Sequence, residues 1–257
     1  MNSPRQSEAS LEPGRAKSAP PRLISFSGID GAGKSTQIAH LQGVFEAAGQ
    51  RVKIVTFWDD VAVLKRLRED AGHRVFRGDK GIGTPEAPIE RRDKNVRSPA
   101  MTLIRLGMYC LDAISLRRIA RRALHSGADV VIFDRYLYDE LANLNLSSRA
   151  MCAYVRALAR LVPRPDPALI LDADPVAARA RKPEYPLDFL HLCRNSYLRL
   201  SEILGGLAII APAPVPAVKR EVERQARTGA RRAALRIETA SSPQNETDEP
   251  KARPFAC

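Results

Sequence analysis

The sequence predicts an α/β domain of three layers, α/β/α, with helices on both faces of a five-stranded parallel sheet. Three observations predict it: five short apolar runs, helical spacing in the segments between them, and a glycine-rich turn joining the first run to the first helix. Strands that alternate with helices pair in parallel, because a parallel connection needs a crossover long enough to hold a helix.

Residues 1–21 are rich in Ser, Pro and charge, and are expected to be a disordered N-terminal tail. Leu23–Ser27 reads as the first strand, and it ends at Gly28 and the glycine-rich turn. Helical spacing follows from Thr36, Gly49 stops it, and Val52–Phe57 offers a second strand. Residues 72–99 carry Gly, Pro and charge without periodicity, as a flexible flap or insertion does. Leu103, Leu106, Cys110, Leu111, Ile114 and Ile119 lie near helical spacing within 100–125, and the apolar run Asp129–Phe133 follows as a strand covered on both faces. A helix over 149–161, a strand over 168–172, a helix over 187–204 and a strand over 207–210 complete a domain at 22–211. Pro212–Pro216 reads as a stiff linker, followed by a basic helix and a polar tail to Cys257.

The bulk composition narrows the function. With 257 residues, 44% hydrophobic and 27% charged, the chain suits one domain with a full core. No stretch reaches the roughly 18 consecutive apolar residues of a membrane helix, and the N-terminal segment lacks the apolar core of a secretory signal, so a cytoplasmic location without membrane contact is expected. Cys110, Cys152, Cys193 and Cys257 are far apart with no C-x-x-C spacing, which disfavours a zinc site or disulfide framework. The net charge of +12 raises nucleic acid as a partner, with seven basic residues against three acidic ones between Lys219 and Glu238; a solvated basic helix is the plainer reading of that segment.

The chemistry is written most clearly at Gly28-Ile29-Asp30-Gly31-Ala32-Gly33-Lys34-Ser35, which fits G-x-x-x-x-G-K-[ST] between a strand and a helix. Glycines let successive backbone N–H groups turn toward phosphate oxygens, and the helix N-terminus adds partial positive charge. Gly28, Gly31, Ala32, Gly33, Lys34, Ser35 and Thr36 are therefore expected to bind ATP phosphates, with Lys34 on the β- and γ-phosphates and Ser35 as a Mg²⁺ ligand. This places the domain among P-loop NTPase folds.

Phe26–Gln37 resembles the opening of thymidylate kinases, including the aspartate inside the loop and the Ser-Thr-Gln after it. Phe133-Asp134-Arg135-Tyr136 is similar to that family's Asp-Arg-Tyr or Asp-Arg-His. Leu171–Pro175 with Arg179, Arg181 and Lys182 resembles its fourth strand and basic lid. The resemblance implies an ATP- and Mg²⁺-dependent kinase of a nucleoside monophosphate such as dTMP, working as a homodimer. It implies that Asp30, Arg135 and Tyr136 bind the acceptor, that Tyr109 stacks on its base, and that Asp134 sits beside the metal with Ser35. Gly31 stands where some members place a loop arginine, so the catalytic cation beside Lys34 is expected from the lid, as Arg179 or Arg181. Arg194 and Tyr197, on the helix after the lid, are read as packing residues.

Three positions depart from the family pattern: Ala113 replaces a base-contacting arginine, Thr56–Asp59 lacks an arginine for the acceptor phosphate, and Asp139 replaces a serine. These departures leave phosphoryl transfer intact and open a second reading, a P-loop kinase of another small metabolite. A third is a nucleic-acid-associated NTPase anchored by the basic tail.

Overall fold

The computed structural model describes residues 20–61 and 99–241. Most of the expected N-terminal tail and flap, and the polar tail beyond residue 241, lie outside the described residues.

The strands are β1 (Arg22–Ser27), β2 (Val52–Thr56), β3 (Val130–Asp134), β4 (Ala168–Leu171) and β5 (Ala208–Ile210). All pair in parallel, in the order β2-β3-β1-β4-β5. The helices are α1 (Lys34–Ala47), α2 (Pro99–Leu124), α3 (Leu137–Leu141), α4 (Arg149–Leu161), α5 (Pro175–Arg181), α6 (Leu187–Leu204) and α7 (Val215–Ser241). The α/β/α sheet architecture expected from the sequence is the one observed. Two of its helices, α4 and α6, match the sequence reading residue for residue.

The two-residue period of the strands divides the interior into two cores. Ile24, Phe26, Val130, Ile132, Leu169 and Leu171 face one side, where Ile38, Leu41 and Phe45 of α1 close the layer. Val131, Phe133, Ala168 and Ile170 face the other, against residues of α2, α3, α4 and α6. Phe26, Ile132 and Leu41 are almost completely buried. Each such side chain removed from water contributes roughly 1.5–3 kcal/mol before entropy is counted.

Three features differ from the sequence reading. The second strand stops at Thr56, and Phe57–Val61 coils into a five-residue π-helical turn. Asp60 stabilises the change by accepting the Thr56 N–H at 2.8 Å. The five-residue helix α3 is too short to leave an apolar period. The linker expected at Pro212–Pro216 leads at Val215 straight into α7. Val218, Val222 and Ala226, spaced i, i+4, i+8, pack that helix onto the α1 core, while Arg224 and Arg227 stay exposed. His40 of α1 and Glu223 of α7 meet at 2.7 Å across the seam.

Candidate active site

Four features converge at the carboxyl ends of β1, β3 and β4, where ligands of parallel sheets bind. They are the glycine loop after β1, the Asp134-Arg135 step after β3, the short helix α5 after β4, and the face of α6 that crosses above them.

The loop from Gly28 to Gly33 turns through left-handed backbone, with φ of +139° at Gly28, +80° at Gly31 and +89° at Gly33. Two of these glycines are required by close approach as well. A Cβ on Gly28 would lie 2.5 Å from the Leu171 carbonyl oxygen, and one on Gly31 would lie 2.3 Å from that of Ala178 in α5. The loop is thus clamped between β4 and α5. α1 begins immediately after it, so its first N–H groups open toward the space the loop encloses.

Lys34 folds back across that space and donates to the carbonyls of Gly28 (2.8 Å) and Ile29 (3.0 Å). Burial lowers its pKa to about 8, with nearby Arg135 acting in the same direction against Asp139, Asp30 and Asp134. Ser35 and Thr36, at the start of α1, are exposed.

Arg135 is held in left-handed backbone at φ +68°, which costs a non-glycine residue roughly 1–3 kcal/mol and persists only where its surroundings enforce it. Its N–H bonds the Phe26 carbonyl at 2.9 Å. The guanidinium reaches Asp30 through a very short contact and Asp139 at 3.3 Å. Burial works against its charge, but Asp139 and Asp30 more than offset that and push its pKa above the ordinary arginine value. Burial likewise raises the Asp30 carboxyl, yet Arg135, Lys34 and Lys182 together hold it below the ordinary range. Lys182 stands 3.9 Å from Asp30 and 3.3 Å from Glu184.

Asp30, Arg135, Asp139, Lys182 and Glu184 are among the polar residues lining a cavity of about 300 Å³. Aromatic side chains line it too: Trp58 from the π-helical turn, Tyr185, and Phe189 and Tyr197 from α6. Tyr185 and Phe189 lie 5.3 Å apart at 44°. A cavity with aromatic side chains and a guanidinium in its lining suits a planar group joined to an anion.

Above the loop, the Arg181 Nε–H donates to the Gly31 carbonyl at 2.8 Å, which brings the end of α5 directly over the glycine loop. Asp174 caps that helix by accepting the Ala177 N–H at 2.8 Å. Arg179 is half-buried and has no hydrogen-bond or ion-pair partner among the described residues. Arg194 grips Asp172 in a two-pronged bond at 2.6 and 2.7 Å and so ties α6 to the end of β4.

The structure thus gathers Gly28, Asp30, Gly31, Lys34, Arg135 and Arg181 into one site. Asp134 closes β3 beside it, within electrostatic reach of Lys34 and Arg135. Two residues expected at the acceptor are placed elsewhere. Tyr109 is buried in α2 with its hydroxyl against Glu140 and Asn143, and Tyr136 is fully buried, donating to the Pro163 carbonyl and packing edge-on to Phe133. Neither lines the cavity.

Trp58, Tyr185 and Phe189 were not anticipated at the site. The signal for Trp58 was its place just past a strand end; for Phe189, Cys193 and Tyr197 it was a four-residue spacing on α6, which core packing produces equally well.

Ser35, at the start of α1, and Asp134, at the end of β3, supply hard oxygen donors of the kind Mg²⁺ takes. Among the described residues no group of three or more His, Cys, Asp or Glu could hold a metal alone. Such a donor set fits a metal that shares its shell with phosphate oxygens and water. Also among the described residues, no helix is long and apolar enough to cross a membrane.

No protein-family model matches the chain. Among curated proteins, it is similar to a probable thymidylate kinase of Archaeoglobus fulgidus, 28% identical over 212 residues that cover 79% of this chain and 93% of the relative. A thymidylate kinase of Xanthomonas oryzae pv. oryzae is 28% identical over 207 residues, covering 77% and 80%. One of Bifidobacterium longum is 30% identical over 163 residues, covering 62% of this chain and 70% of the relative.

Proposed function

Because the chain belongs to the thymidylate kinase family, we propose that it transfers the γ-phosphate of ATP to a deoxynucleoside monophosphate, dTMP first among them. The observation that carries the reading is the presence of two cationic centres within electrostatic reach of each other. Lys34 lies within the phosphate-binding loop, and Arg135 lines a cavity that also has aromatic side chains in its wall.

In this reading the loop amides and Lys34 hold the β- and γ-phosphates. The base lies between Trp58 and the Tyr185–Phe189 wall, with the acceptor phosphate on Arg135. Asp30 fixes the acceptor sugar and the guanidinium together. Phosphoryl transfer passes through a loose transition state with charge spread over three oxygens, so the protein's work is alignment and charge neutralisation. Ser35 and Asp134 would hold Mg²⁺, which would supply neutralisation of the phosphate charge as a Lewis acid. Arg181 is the lid cation: one N–H anchors it to the loop, and the remainder of its fork is directed to the transferring group.

Arg181→Ala is therefore expected to lower kcat about 10–10²-fold with the affinity for ATP changed less than about threefold. Equal losses in turnover and ATP affinity would place Arg181 in ground-state binding instead.

The protein acts as a homodimer in the cytoplasm. Leu103, Ile104, Leu111 and Ile114 leave an apolar face of α2 exposed, and a second copy of the same helix would cover it. Leu111→Glu is expected to move the protein to monomer mass by light scattering; an unchanged mass would exclude that face.

The acceptor assignment is tested by ADP release with ATP and Mg²⁺ across a panel of nucleoside and deoxynucleoside monophosphates. The expected result is ADP formation that depends on the monophosphate and is fastest with dTMP. Turnover with a non-nucleotide acceptor alone, or turnover independent of any acceptor, would overturn it.

A further inference from the structure

We propose that Asp139 is a positioning residue that presets Arg135 for the acceptor phosphate, and that it does so through its charge. The inference rests on the acceptor role given to Arg135 above.

The Asp139 carboxylate is 5% exposed and serves four donors. Its Oδ2 accepts from the Ser27 hydroxyl at 2.7 Å and from the Tyr136 N–H at 3.0 Å. Its Oδ1 accepts from the Tyr197 hydroxyl at 2.8 Å and from Arg135 Nη1 at 3.3 Å. The first three bonds come from β1, from the chain just after β3 and from α6, so the carboxylate is fixed by three separate elements before Arg135 leans on it.

The same group also governs the backbone of Arg135. Arg135 sits at φ +68°, the N–H of the next residue is one of the four donors, and its own N–H is tied to Phe26. Both ends of this residue, main chain and guanidinium, are referred to one anchored anion.

A serine, the residue that the thymidylate kinases resembled here carry at this position, offers one hydroxyl with two lone pairs and no charge. It could not accept from Ser27, Tyr136, Tyr197 and Arg135 together, nor offset a guanidinium buried to this degree. Tyr197, read from sequence as packing, gains a purpose: its hydroxyl steadies the oxygen that faces Arg135. With Nη1 committed to Asp139 and Nη2 to Asp30, three of the five guanidinium N–H groups remain for the oxygens of an acceptor phosphate.

The test is steady-state kinetics of Asp139→Asn and Asp139→Ser, each made in the wild-type and in the Arg135→Ala background, with dTMP and ATP varied separately. The expected result is a KM for dTMP raised about tenfold or more in wild-type background, with the KM for ATP within about twofold. In the Arg135→Ala background the Asp139 changes should have little further effect, since a residue acting through another couples to it. KM does not depend on how much of a preparation is folded, so a poorly folding variant still reports.

An unchanged KM in both Asp139 variants overturns the proposal, as does the same fold-increase in both backgrounds. A wild type that makes ADP with no monophosphate would overturn the acceptor assignment itself, and this inference with it.

Discussion

Lys34→Ala is expected to reduce kcat about 10²–10³-fold, the loss typical of removing one preorganised donor from a charge-stabilising site. Its ammonium group lies within the loop on the Gly28 and Ile29 carbonyls. The same burial makes it a cost to the empty fold. With its pKa lowered from 10.5 to about 8, the charged form is disfavoured by folding, a penalty on the order of 3 kcal/mol at neutral pH. For a lysine whose pKa falls on folding, that penalty is fully present below about pH 8 and fades as pH rises toward 10.5. Lys34→Met keeps most of the volume without the charge, so it should raise Tm at pH 7 while lowering turnover as far as Lys34→Ala does, with the gain in Tm shrinking as pH rises past 8. A Tm lowered by Lys34→Met at pH 7 would contradict the assignment of that cost.

Gly31→Ala is expected to reduce kcat by about two orders of magnitude, the scale of a misplacement near 1 Å in an aligned site. Its Cβ would fall 2.3 Å from the Ala178 carbonyl oxygen, and its φ of +80° penalises any side chain. α5 would have to lift, and Arg181, hydrogen-bonded to the Gly31 carbonyl, would lift with it. Gly31→Arg, which introduces the loop arginine of some thymidylate kinases, should be as impaired and should not rescue Arg181→Ala. Near-normal turnover in Gly31→Ala would mean that α5 works from a position farther from the loop.

The loop and the sheet were legible because each depends on local chemistry. Gly28, Gly31 and Gly33 mark left-handed backbone, and runs such as Val130–Phe133 are apolar because both faces are covered. The aromatic-lined cavity was harder to see because it is assembled across distance. Phe189 and Tyr197 become cavity walls only through the path of α6 over β4, which Arg194 and Asp172 hold in place.

Tyr109 and Tyr136 illustrate the reverse case. Both stand at motif-like positions, yet α2 and the turn after β3 rotate them into the core, and a residue count cannot report which face a helix buries. For α7, the Pro-rich run suggested a linker, while the four-residue spacing of Val218, Val222 and Ala226 already carried the packing signal. Asp139 was visible as a departure from the family pattern, but two of its four donors, Ser27 and Tyr197, come from segments far from it in the chain.

The most direct test of the whole account follows the phosphorus atom itself. Protein mixed with Mg²⁺, dTMP and ATP labelled at the γ-position is observed by phosphorus NMR. The site described here predicts that the label appears in dTDP in step with ADP. Label recovered as inorganic phosphate, with dTMP unchanged, would contradict it.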